Sequence, residues 1–173
     1  MEIWDLYNVD REKTGETAVR GEALPPERYH LVVHVCIFNP RGEMLIQQRQ
    51  PFKKGYPNLW DVSMGGSAVA GDTSIRAAER EVLEELGLSI DLTGRLPALT
   101  IPFEFGFDDF YLYDADPDLD TLTLQAEEVQ AVRWAGLEEI LRMMDEGTFI
   151  PYREPLIRLL FDIHAGGEGA HRG

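Results

Sequence analysis

The chain has 173 residues, 44% hydrophobic and 27% charged, a balance that fits one domain with a real core and excludes wholesale disorder. It carries 16 Lys and Arg against 31 Asp and Glu, a formal net charge of -15, so no nucleic-acid polymer is expected as a partner. The single cysteine, Cys36, excludes an intrachain disulfide and agrees with a reducing cytoplasm, and neither a signal peptide nor a membrane span is expected.

In chain order, Ile3 to Asn8 reads as a short strand and Asp10 to Gly15 as a turn. Ala23 to Glu27 holds two prolines and reads as a loop, because proline cannot donate a ladder hydrogen bond. Tyr29 to Phe38 is β-branched and reads as a buried strand. Asn39 to Gly42 turns the chain, and Met44 to Arg49 returns as the partner strand. Lys53 to Asn58 is loop, Leu59 to Ser63 a short strand, and Gly65-Gly66 with Gly71 bracket another loop.

Thr73 to Leu86 is the strongest helix, with Asp72 or Thr73 as its cap and Gly87 as its stop. Phe107 to Tyr113 and Val129 to Trp134 are further strands. Leu137 to Glu146 and Pro155 to His164 are helices, and Ala165 to Gly173 is expected to be a flexible tail. Strands and helices mix without strict alternation, so the class is α+β.

The chemistry gathers in the strong helix. Ile75, Ala78, Val82 and Leu86 fall on one side, whereas Glu81, Glu84 and Glu85 share the other at spacings i, i+3 and i+4. Such crowded carboxylates repel each other, and a hard divalent cation relieves that repulsion through the oxygen ligands it prefers. A solvated acidic face would explain the helix alone. The surroundings decide: Gly66, five residues, Asp72, seven residues, Arg80-Glu81-Val82, one residue, Glu84-Glu85, one residue, Gly87-Leu88.

This segment resembles the Nudix box, matching every specified position except Asp72, where the family usually has Glu. The resemblance implies an α/β/α sandwich with a mixed sheet, whose loop-helix-loop cradles Mg²⁺ or Mn²⁺. It implies Glu81, Glu84 and Glu85 as metal ligands, with a backbone carbonyl near Gly65, and Arg80 as the residue orienting a box glutamate. Asp72 is expected to be a structural helper. The implied reaction is attack of water on a diphosphate within a nucleoside diphosphate linked to another moiety.

The segment Gln125 to Trp134 resembles an acidic stretch that follows the box in the family, which makes Glu128 the first outside candidate for metal or base work and Glu127 the second. Asp109 sits near where related enzymes place a carboxylate facing the site. Thr14 to Val62 is similar to isopentenyl diphosphate isomerase, and there Arg49 and Lys53 match basic residues that hold a diphosphate. His30 matches a metal ligand of the isomerase, while His34 reads as a core residue. That enzyme's catalytic cysteine falls at Met64 and a second metal histidine at Gly66, which disfavours the isomerase. Trp60, Tyr56 and Phe103 are candidates for stacking on a base.

The reading is one domain over residues 1–164, with residues 1–28 as an N-terminal extension packed on it. Its function is expected to be metal-dependent hydrolysis of a small-molecule diphosphate, in the cytoplasm and away from membranes. An isomerase-like enzyme and a non-catalytic nucleotide-sensing module are the alternatives. A homodimer is compatible, with Ile3 to Asn8 free to pair, and the pattern does not decide it.

Overall fold

The computed structural model describes residues 2–167. Strands β1 (Ile3–Tyr7) and β2 (Lys13–Val19) form a separate antiparallel hairpin. Strands β3 (His30–Phe38), β4 (Met44–Arg49), β5 (Trp60–Asp61), β6 (Met64–Ser67), β7 (Leu99–Phe103), β8 (Gly106–Asp114) and β9 (Val129–Ala135) form a mixed sheet. The helices are α1 (Ser74–Leu86), α2 (Leu137–Asp145) and α3 (Glu154–Gly166). This is the α/β/α sandwich implied by the box.

Alternation along the central strand divides the core. Leu31, Val33, Val35 and Ile37 of β3 face α1, with Ala77, Ala78, Val82 and Leu86 opposite. Cys36 and Phe38 face the other way, onto Ile140, Leu141 and Met143 of α2 and Ile157 and Leu160 of α3. Burying each large aliphatic side chain contributes about 1.5–3 kcal/mol. Strand β4 keeps the same parity: Met44 and Ile46 point toward α2 and α3, whereas Leu45 points toward α1.

Strand β3 runs parallel to β8 from His30↔Gly106 to Phe38↔Asp114 and antiparallel to β6. It meets β4 at Phe38↔Met44 alone, while β4 pairs with β9 from Met44 to Arg49. The expected β3–β4 hairpin is therefore corrected to a single shared pair. Both edges of β3 are already engaged, by β8 and by β6, so β4 splays away and takes β9.

Other expectations change as well. The turn expected over Asp10 to Gly15 gives way at Lys13 to β2, whose exposed residues carry no apolar period. Gly65-Gly66 lies within β6 rather than a loop. The strand expected over Leu59 to Ser63 contracts to Trp60–Asp61. Strand β7, which includes Pro102, was not anticipated; it lies on a sheet edge, where proline is tolerated. Helix α3 continues through Ala165 and Gly166, the first residues of the expected tail, and residues 168–173 of that tail lie outside the described residues. Among the described residues no helix is long and apolar enough to cross a membrane.

The hairpin is fastened to the sandwich by polar contacts. Ala70 N donates to Ile3 O at 2.8 Å, and Gly71 N to Asp5 Oδ2 at 2.8 Å. Asp109, 1% exposed, accepts from Arg11 Nη2 at 2.8 Å, Thr100 Oγ1 at 2.6 Å and Ser74 Oγ at 2.6 Å. One buried carboxylate thus ties the hairpin turn, β7 and the start of α1 together. Asp109→Asn presents an amide N–H₂ to one of these donors, and we expect a loss of about 2–3 kcal/mol in urea unfolding.

Candidate active site

Strand β6, the following loop and α1 bring the acidic residues to one place. Helix α1 starts where the Thr73 side chain accepts from Arg76 N, and it stops at Gly87, φ 65°, whose N–H bonds Leu83 O. The helix presents its three glutamates unequally. The Glu84 side chain is 51% exposed and Glu81 15%, while Glu85 is 6% exposed as a residue. The even acidic face expected from the spacing is therefore a gradient from solvent into the core.

Gly66 makes room for Glu81. A Cβ at Gly66 would stand 2.5 Å from the Glu81 carboxyl carbon, so a side chain there would displace the Glu81 carboxylate from its place. Neighbouring Gly65 is paired with His34 across β3 and β6, and a Cβ there would meet His34 Nδ1 at 2.8 Å.

Arg80 organises the acids. Its Nη1 donates to Glu81 Oε1 at 2.8 Å and to Glu84 Oε2 at 3.1 Å. Its Nη2 donates to Asp72 Oδ2 at 3.0 Å and to the Ser67 carbonyl at 3.3 Å, and Nε also reaches Asp72 at 3.2 Å. Asp72 thus orients Arg80, as a structural helper would.

Glu85 lies deepest. Gln47 Nε2 of β4 donates to its Oε2 at 2.9 Å. Burial pushes the Glu85 carboxyl up to about 8 from 4.5; the Gln47 bond opposes this, and Glu81, Glu128 and Asp61 add to it by repulsion. Burial likewise raises the Glu81 carboxyl, with Arg80 opposing and Glu84 and Glu2 adding to the rise.

The opposite wall comes from the end of β4, the segment between β4 and β5, and the segment that precedes β9. Arg49 donates from Nε to Gly55 O at 3.1 Å, and its Nη1 lies 3.7 Å from Asp61. Asp61 is buried and accepts from Tyr152 Oη at 2.7 Å. Lys53 pairs with Glu128, which precedes β9. Arg49, Lys53, Gly65, Arg80, Glu81, Glu84, Glu85 and Glu128 all line one cavity of about 410 Å³.

Trp60 is the expected site residue that the structure places elsewhere. It packs against the α2–α3 core under the Arg133 guanidinium, 4.9 Å from the ring centroid, and does not line the cavity. Nor do Tyr56, Phe103 or Asp109. Glu127 is exposed. His30 stacks on Trp4 at 4.1 Å, and His34 stacks on Phe110 at 4.5 Å with Nε2 3.2 Å from Asp108. The cavity also takes Glu2, Arg20 and Gln125, which sequence reasoning did not single out. Gln47 was missed as well, although its alternation with Leu45 places it on the α1 side.

The donor set suits a hard divalent cation. Five carboxylates, Glu2, Glu81, Glu84, Glu85 and Glu128, share one cavity, and the buried, repelled Glu85 is a group that a cation would stabilise in its charged form. Among the described residues no three such side chains already converge on one point, and Glu81 and Glu84 are engaged by Arg80.

Comparison with known proteins gives the family. A NUDIX domain model matches residues 28–158. The chain is 53% identical over 152 residues, 88% of its length and 90% of the other's, to an uncharacterized Nudix hydrolase of Listeria monocytogenes. A crystal structure from Deinococcus radiodurans superposes with TM-score 0.72 at 27% identity, covering 92% of this chain and 97% of that one. An isopentenyl-diphosphate Delta-isomerase of Streptomyces coelicolor is 40% identical over 85 residues, 47% of this chain and 43% of that protein. The chain belongs to the Nudix hydrolase family, whose members act on pyrophosphate bonds.

Proposed function

We propose that this protein is a divalent-metal-dependent pyrophosphohydrolase that cleaves the diphosphate of a nucleoside diphosphate linked to another moiety. The observation that carries this reading is the shared cavity, with Glu81, Glu84, Glu85 and Glu128 beside Arg49 and Lys53. Glu81, Glu84, Glu85 and the Gly65 carbonyl would hold Mg²⁺ or Mn²⁺, and Arg49 and Lys53 would receive the diphosphate. A metal bound there supplies polarisation of a phosphoryl oxygen and a more acidic attacking water. Arg80 orients Glu81 and Glu84, and Gln47 holds Glu85 in place. Lys53 and Glu128 pair across the cavity wall, so an incoming phosphate that draws Lys53 away frees Glu128 to accept a proton from water.

The isomerase alternative has little chemical support. Met64 is fully buried in the core, and a thioether cannot transfer a proton. Cys36 is also fully buried, and burial pushes its thiol far up, so it does not replace the missing cysteine. The single buried thiol suits a reducing cytoplasm.

The test is product release from a panel of nucleoside diphosphate derivatives with and without Mg²⁺ or Mn²⁺, with isopentenyl diphosphate included. Metal-dependent cleavage supports the hydrolase. Isomerisation without cleavage, or binding without turnover, would overturn it. On the same panel Asp72→Glu is expected to change the rate far less than Glu84→Gln, because Asp72 acts through Arg80.

A further inference from the structure

The matched family model begins at residue 28, yet two side chains of the preceding hairpin enter the cavity wall: Glu2 and Arg20. They sit beside each other at the open end of the hairpin, where Arg20 N donates to Glu2 O at 3.0 Å. Arg20 Nη1 donates to Glu2 Oε2 at 2.7 Å, and Trp4 Nε1 holds the other oxygen, Oε1, at 2.7 Å. Trp4 is itself fixed by stacking on His30. Glu2 is therefore anchored independently of Arg20, whose side chain is 59% exposed.

The cations of this cavity divide by what they can do. Arg80 is saturated by Asp72, Glu81, Glu84 and the Ser67 carbonyl. Arg49 and Lys53 come from the β4 side and are placed to serve one diphosphate. Arg20 comes from a different element, and its one acidic partner, Glu2, is a group that a stronger anion can replace.

We propose that Arg20 is a specificity residue for a further phosphate of the substrate, beyond the diphosphate held by Arg49 and Lys53, and that Glu2 occupies it in the free enzyme. The inference rests on the hydrolase reading. It narrows the substrate class to diphosphates bearing at least one more phosphate group. When that phosphate arrives, Arg20 exchanges one charge-assisted hydrogen bond for another, while Glu2 stays on Trp4.

ADP and ATP form a matched pair for the test, because they differ by one phosphate. With Mg²⁺, wild-type kcat/KM should favour ATP. Arg20→Ala should lose about tenfold on ATP, mainly through KM, and change little on ADP. Glu2→Gln keeps an acceptor for Trp4 Nε1 but releases Arg20, so it should lower KM for ATP. Opposite signs for the two variants separate this role from a structural one, since damage to the hairpin would weaken both. Equal losses on ADP and ATP in Arg20→Ala, or shifts of the same sign in both variants, would overturn the proposal. Calorimetric binding of magnesium triphosphate, compared with magnesium pyrophosphate, supplies an arm free of turnover and of any base. If nothing is hydrolysed, the hydrolase reading fails. Arg20 then stands only if its loss weakens triphosphate more than pyrophosphate, and it falls if the two are affected alike.

Discussion

Glu85→Gln is expected to make the metal-free protein more stable and the enzyme nearly inactive. Glu85 is 6% exposed, and burial together with Glu81, Glu128 and Asp61 pushes its carboxyl up to about 8. The sign of the linkage follows. Between 4.5 and about 8 the folded state holds a proton that the unfolded chain has released, so stability falls as pH rises through that window. Gln removes the charge and keeps an oxygen for the Gln47 donor. At pH 8 the variant should gain about 3 kcal/mol, or roughly 5–10 °C in Tm, without metal. Mg²⁺ should raise the Tm of the wild type and do so far less in the variant, because the metal stabilises the charged carboxylate. Turnover should fall by about a hundredfold or more. Thermal scans from pH 5 to pH 9 with and without Mg²⁺, beside an activity assay, check all of this. A variant that is no more stable than wild type at pH 8 would refute the account of Glu85.

Arg80 should behave in the opposite way. It balances Asp72, Glu81 and the half-exposed Glu84, and around the first two few waters can replace it; the Arg80 side chain is 27% exposed and Asp72 17%. Arg80→Ala strands three carboxylates beside Glu85 and should cost about 3 kcal/mol in urea unfolding. Arg80→Lys keeps a charge but loses the planar fork that serves Asp72 on one side and the glutamates on the other, so it should recover only part of the loss. Because a divalent cation supplies the missing counter-charge, Mg²⁺ should stabilise Arg80→Ala more than wild type even as turnover falls. Equal metal effects in the two proteins would show that Arg80 and the metal do not share the same carboxylates.

The helix bearing these residues was legible because its cap, its stop and its spacing are local. So were the buried strands, whose alternation is dictated by the core they face. What escaped had no local signature. Strand β2 alternates no apolar residues, and Gly65-Gly66 reads as loop because its reason for being glycine lies on other elements, at His34 and Glu81. The pairing of β4 with β9 depends on which edges of β3 are already taken. The box acids, Arg49, Lys53 and Glu128 were legible as a set because resemblance supplied the partners. Trp60 was misplaced, since an aromatic ring beside a site can as easily serve the core beneath it. Gln47, Glu2 and Arg20 needed the fold, because each acts on a residue far away in sequence.

The single pair Phe38↔Met44 leaves the sheet as two leaves hung on a narrow join. One leaf, with β3, β6 and β8, carries α1 and its glutamates; the other, with β4, β5 and β9, carries Arg49 and abuts Glu128. The gap between acids and cations is therefore a property of how the leaves are folded toward each other, and no single element sets it. The Gln47–Glu85 bond is a latch across that gap. Packing around Phe38 and Met44, together with the Ser63 hydroxyl that bridges Ile37 N and Leu45 O, thus helps set the spacing of a site from which it is remote.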